Sequence, residues 1–169
     1  MATWQWVNYL RRSVEEPLEP LMLNLDETAV AYYHGDQRGN LVAYKRARRD
    51  GPEPVQRVSR RQLRGCLTHV AIIADRADVQ AVLPQVLLGN KSMLPARVVR
   101  AMEGTLPPNV IVKRAKSSWT NIPTMVWVLD LVARALEPWR ATHQPILLMD
   151  CARQHLHESV ARAAKRRGL

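Results

Sequence analysis

Leu21-Met22-Leu23-Asn24-Leu25-Asp26 is a short apolar run that stops on a carboxylate. Pro145-Ile146-Leu147-Leu148-Met149-Asp150 has the same grammar near the other end of the chain. Nearly continuous apolar runs of this length read as central strands, buried on both faces. Each delivers an aspartate at its C-terminal end. Whether the two carboxylates form one site decides both the fold and the function.

The segments between them set the topology. Met1 to Pro20 carries Trp4, Trp6, Val7, Tyr9 and Leu10, and reads as a short helix or linker that stops before Pro17. After the Asp26 strand, Thr28 to His34 reads as a second strand, closed by Gly35 and the polar turn Asp36 to Asn40, with Leu41 to Tyr44 continuing the meander. Leu67 to Ala74 is a third strand. After a turn at Asp75 to Asp78, Val79 to Leu88 returns as another, with Pro84 marking an edge or bulge. Gly89-Asn90-Lys91 reads as a loop, Leu94 to Met102 as a helix, and Val110 to Lys113 as a short strand.

The clearest helix follows. Thr120 or Asn121 can cap it and Pro123 suits its first turn. Ile122, Met125, Val126, Leu129, Val132, Ala133 and Leu136 form its apolar stripe, and Pro138 ends it. A last helix spans Glu158 to Arg167, with Lys165, Arg166 and Arg167 at its C-terminus and Gly168 to terminate it. A meander, a crossover helix, a strand and a helix make an α/β domain with a mixed sheet. A right-handed crossover then sets the Asp150 strand parallel to and beside the Asp26 strand.

Composition bounds the function. At 169 residues with 47% hydrophobic content, the chain is one domain with a proper core. Twenty-five Lys and Arg against 15 Asp and Glu leave a net charge of +10, which favours polyanionic partners, most simply nucleic acid. The basic residues concentrate at 45–64, read as an exposed loop excursion containing Lys45, Arg46, Arg48 and Arg49. Taken singly, each of these is more often a solvated side chain than a phosphate contact. Two cysteines, Cys66 and Cys151, exclude a disulfide scaffold and a Cys-rich zinc module, and point to a reducing compartment. No stretch reads as a signal peptide or reaches the roughly 18 apolar residues of a membrane span, so an intracellular protein without a membrane partner is expected.

Two carboxylates converging at adjacent strand ends suit hard divalent cations, and metal ions held there can activate water or a hydroxyl for phosphoryl transfer. The plainer reading is that each aspartate only starts a loop or caps a turn. The residues alone leave both open. Neither a Gly-x-x-x-x-Gly-Lys-Ser/Thr phosphate loop nor a Gly-x-Ser-x-Gly elbow occurs, which ranks an unrelated metal-dependent phosphohydrolase last.

Four pieces in order resemble the DDE superfamily endonuclease domain of the Tc1/mariner–pogo and jerky-type transposases. They are Asn24-Leu25-Asp26-Glu27-Thr28, the strand Thr68 to Ala74, the segment Ala115-Lys116-Ser117-Ser118-Trp119-Thr120-Asn121, and Leu147-Leu148-Met149-Asp150-Cys151-Ala152-Arg153-Gln154-His155-Leu156. The resemblance implies an RNase H-like fold for residues 21–169, with about five strands and flanking helices. It implies Asp26 and Asp150 as catalytic metal ligands, magnesium or manganese as cofactor with no organic cofactor, and DNA as partner. A homodimer is also open, and a nuclear location if the source is eukaryotic. Lys45, Arg46, Arg48, Arg49, Lys116, Trp119 and His155 are then candidate nucleic-acid contacts, although a loop-stabilising role suits a lone histidine better. Glu27, on the opposite face of the strand from Asp26, is expected to be a neighbour rather than a ligand.

The chain departs from the family pattern in several places. The family carries a third Asp or Glu beyond the second, on or near the next helix, and Glu158 is a poor substitute for it. Cys151 stands where the family has asparagine, and Arg153-Gln154 where it has Pro-Ser. The upstream helix-turn-helix region and the last helix are absent from this sequence. The expectation is therefore a truncated or inactive DDE-type domain, with a non-catalytic, domesticated DNA-binding module as the alternative.

Overall fold

The computed structural model describes residues 3–31, 66–92 and 94–169. The end of the expected Thr28 to His34 strand, the expected turn at Gly35 and Asp36 to Asn40, Leu41 to Tyr44 and the basic 45–64 stretch, with Lys45, Arg46, Arg48 and Arg49, lie outside these residues.

Glu19–Ala31 forms strand β1, Cys66–Ala74 β2, Gln85–Asn90 β3, Val110–Ala115 β4 and His143–Met149 β5. Their order in the sheet is β4-β3-β2-β1-β5. The β1–β2 and β2–β3 pairs are antiparallel, and the β1–β5 and β3–β4 pairs are parallel, so the sheet is mixed as expected. The helices are α1 (Thr3–Arg12), α2 (Ala77–Gln80), α3 (Ala96–Met102), α4 (Ile122–Ala135) and α5 (Glu158–Arg166), with a 3-10 turn at Glu137–Trp139.

Strand alternation makes the core. Leu21, Leu23 and Leu25 project from one face of β1, beside Val70 and Ile72 of β2. Against them lie Met125, Val128, Leu129, Val132 and Leu136 from α4 and its C-cap, with Val160 and Ala163 from α5. All are essentially excluded from solvent. At roughly 1.5–3 kcal/mol for each large side chain fully buried, this layer is the main cohesive term of the fold. On the opposite face, Asn24 pairs with Ile73 and both are exposed, as is Asp26.

Three expectations are corrected. Thr28 does not begin a new strand: β1 runs unbroken through Ala31, because Asp26 and Glu27 both continue the ladder with β2, as Asp26↔Ala71 and Glu27↔Val70. Val79 to Leu88 is not one strand. Val79 and Leu83, four apart, are both buried, and α2 ends before Pro84 hands over to β3. Gly89 and Asn90 belong to β3 rather than a loop. A Cβ on Gly89 would stand 2.6 Å from Leu94 Cδ2 and 2.8 Å from Leu67 Cδ2, so the glycine makes room for two leucines.

The α4 and α5 expectations hold. The Asn121 side chain accepts the Thr124 N–H at 3.0 Å, and Pro123 lies in the first turn. Gly168 takes φ +64°, the left-handed end that glycine supplies cheaply.

Candidate functional site

β1 and β5 run parallel in register from Glu19↔His143 to Leu25↔Met149. Asp26 and Asp150 are the next residues along the two strands, so their backbones lie side by side where the β1–β5 pairing ends. Both are exposed. The backbone thus brings together the two aspartates that the sequence singles out.

The side chains are arranged less symmetrically than that. Asp26 follows Asn24 on the face of β1 away from α4 and α5, and its Oδ1 accepts the Glu27 N–H at 2.7 Å. Glu27 follows Leu23 and Leu25 on the helix-covered face, opposite to Asp26, as expected. There it meets His155, whose Nε2 lies 3.3 Å from Glu27 Oε1 and whose Nδ1 lies 2.5 Å from Asp150 Oδ1. Gln154 Nε2 donates to Glu27 Oε2 at 3.3 Å. The His155 side chain is 3% exposed, that of Glu27 17% and that of Asp150 62%. Buried polar groups are costly unless paired, and this imidazole is paired at both nitrogens. His155 is therefore the rivet between the Asp150 loop and β1.

Asp150 also organises its own turn. Its Oδ1 accepts the Ala152 N–H at 3.0 Å, and the chain then folds back through His155 N–H and Leu156 N–H to the Ala152 carbonyl. The Ala152 N–H, followed by the His155 ring, holds the Asp150 carboxyl below the ordinary aspartate range. Farther on, His157 caps α5 by accepting the Ser159 N–H at 3.2 Å.

Lys116 and Trp119 lie in the β4–α4 connection, at the same end of the sheet as the aspartates but beyond its opposite edge strand, and both are exposed. Asn90 Nδ2 donates to the Lys116 carbonyl at 3.0 Å. Glu27 and Gln154 are the residues whose part in this site the sequence reading missed. The signal was present in the alternation Leu21, Leu23, Leu25, Glu27, which sends the glutamate toward the helices.

Oxygen donors of this kind suit magnesium or manganese. Their number falls short, however: among the described residues no group of three or more His, Cys, Asp or Glu could hold a metal ion. Asp150 has one oxygen committed to His155 and Ala152, and Asp26 projects from the other face of its strand from Glu27. The described residues therefore do not fit a closed metal site.

No family model matches the chain, and no curated protein or solved structure matches it either. What the described residues define is an α/β domain with a mixed five-stranded open sheet and flanking helices, in which Asp26 lies within β1 and Asp150 follows its parallel neighbour β5, an edge strand rather than the central one its apolar run suggests. No helix among the described residues is long and apolar enough to cross a membrane.

Proposed function

We propose that this chain is a nucleic-acid-binding domain of the RNase H-like, DDE-endonuclease kind, whose chemistry is metal-dependent phosphodiester cleavage or strand transfer on DNA. The observation that carries the proposal is the in-register parallel pairing of β1 and β5, which ends on Asp26 and Asp150 together. A net charge of +10 supports a polyanionic substrate. In this reading Asp26 and Asp150 are two oxygen ligands for magnesium or manganese, and a third acid has to come from outside the described residues.

The test is nicking of supercoiled plasmid in magnesium or manganese by wild type, Asp26→Asn and Asp150→Asn. Cleavage by wild type that both substitutions abolish supports the reading. Equal cleavage by all three proteins removes the aspartates from the chemistry.

A second reading, a non-catalytic DNA-binding module, is favoured by one specific feature: Asp150 is already engaged by His155 and Ala152. It expects salt-sensitive DNA binding that survives loss of both aspartates, with no nicking. Binding that stays flat between low and high salt counts against it.

A further inference from the structure

Trp119 is 71% exposed, the most exposed tryptophan among the described residues. Exposing an indole forgoes the burial that usually places tryptophan, so its position needs a reason. Two other tryptophans are engaged: Lys113 Nζ sits 3.6 Å from the Trp127 ring centroid, and Trp139 Nε1 donates to Asp78 at 3.3 Å. Trp4 and Trp6 are exposed as well, with Trp6 stacked on Tyr9, but α1 sits at the other end of the sheet, where Arg11 pairs with Asp75.

The loop presenting Trp119 is built rather than slack. Lys91 N–H donates to the Ala115 carbonyl at 2.9 Å, Asn90 Nδ2 to the Lys116 carbonyl at 3.0 Å, and Trp119 N–H to Ser117 Oγ at 3.1 Å. Asn121 then caps α4 immediately after it. The indole is held out on a braced platform. Two exposed cations belong to the same braced connection, Lys91 and Lys116, and neither forms an ion pair among the described residues.

We propose that Trp119 is a stacking platform for an unpaired nucleobase, with Lys91 and Lys116 taking the adjoining phosphates. This deepens the proposed function by naming the substrate form: a single strand, or a nucleotide displaced from the duplex. Every base has a π-face, but only an unstacked one can lie on an indole. The register also says which nucleotide is bound. Through Asn90↔Ala115, Thr68↔Leu88 and Ala29↔Thr68, Ala115 stands level with the end of β1, three strands across from it. By strand geometry that is about 20 Å from Asp26, so the stacked base flanks the bond at the aspartates instead of carrying it.

The test is equilibrium binding of the whole chain, in EDTA, to a fluorescent single-stranded DNA and to the duplex of the same sequence. Trp119→Ala is expected to weaken single-strand binding about 5- to 100-fold, while Trp119→Phe keeps most of it. Duplex binding changes little in either. An oligonucleotide with abasic sites throughout is expected to bind wild type as weakly as the intact oligonucleotide binds Trp119→Ala. Substituting Lys116 by Ala is expected to reduce the slope of log affinity against log salt by about 0.7. Equal single-strand affinity in wild type and Trp119→Ala overturns the proposal, as does binding of neither DNA. Because no metal is present, the outcome is separate from nicking. Cleavage with an indifferent Trp119 sinks the platform alone, and Trp119-dependent binding without cleavage sinks the chemistry alone.

Discussion

Replacing His155 with alanine is the sharpest probe of the site's architecture. The imidazole is buried between an exposed aspartate at 2.5 Å and a largely buried glutamate at 3.3 Å. Its removal acts unequally on the two sides. Asp150 is 62% exposed and keeps its bond from Ala152, so water replaces the histidine there at little cost. Glu27 keeps only Gln154, and a carboxylate left under-partnered in a buried setting costs about 1–3 kcal/mol. The vacated ring volume adds a packing loss of about 1 kcal/mol. His155→Ala should therefore destabilise the fold by about 2–4 kcal/mol, which lowers Tm by roughly 5–15 °C in a domain of this size. Urea unfolding followed by circular dichroism gives the free energy directly. A double-mutant cycle with Glu27→Gln should return a coupling of at least about 0.5 kcal/mol. If His155→Ala unfolds at the wild-type midpoint, or the coupling is zero, the rivet between loop and strand does not exist.

Two further expectations concern the same region and its neighbour. The Asp150 carboxyl, stabilised as the anion by Ala152 N–H and then His155, should titrate below an ordinary aspartate by carboxyl NMR. A depressed folded-state value means its contribution to stability is present above the unfolded value and lost as pH falls through the folded one. In His155→Ala the midpoint should rise without reaching the ordinary value, and no rise would mean the ring plays no part. Gly89→Ala should cost about 1–3 kcal/mol by urea unfolding, because the new methyl meets Leu94 and Leu67 at sub-contact distances; a neutral result would show that both leucines can step aside.

The parallel partnership of the Asp26 and Asp150 strands is legible in the sequence, because apolar runs that lead to an acid announce themselves. So does α4, whose cap, proline and stripe all agree. The misreadings share one cause. Val79 and Leu83 satisfy a helix as readily as a strand over so few residues, and only their common burial decides. Likewise, nothing local distinguishes a strand that ends at Asp26 from one that continues; the partner strand β2 settles it. His155 was legible as a loop-stabilising residue but not as a bridge, because its partner Glu27 is distant in sequence and comes near only through tertiary pairing.

The length of β1 has an evolutionary consequence. β5 pairs with it only as far as Leu25, whereas β2 follows it to Ala31, so Asp26 and Glu27 sit just where one neighbour stops and the other goes on. Two adjacent acids there face opposite sides of the sheet. Deleting or inserting one residue between Leu21 and Leu25 would exchange their faces relative to Leu21, and would also turn outward the core leucines that lie beyond the change. Point substitutions in this stretch can be graded and repaired one at a time, but a shift of frame within the strand cannot. Lineages carrying this domain should therefore drift in the composition of the stretch while holding its length fixed.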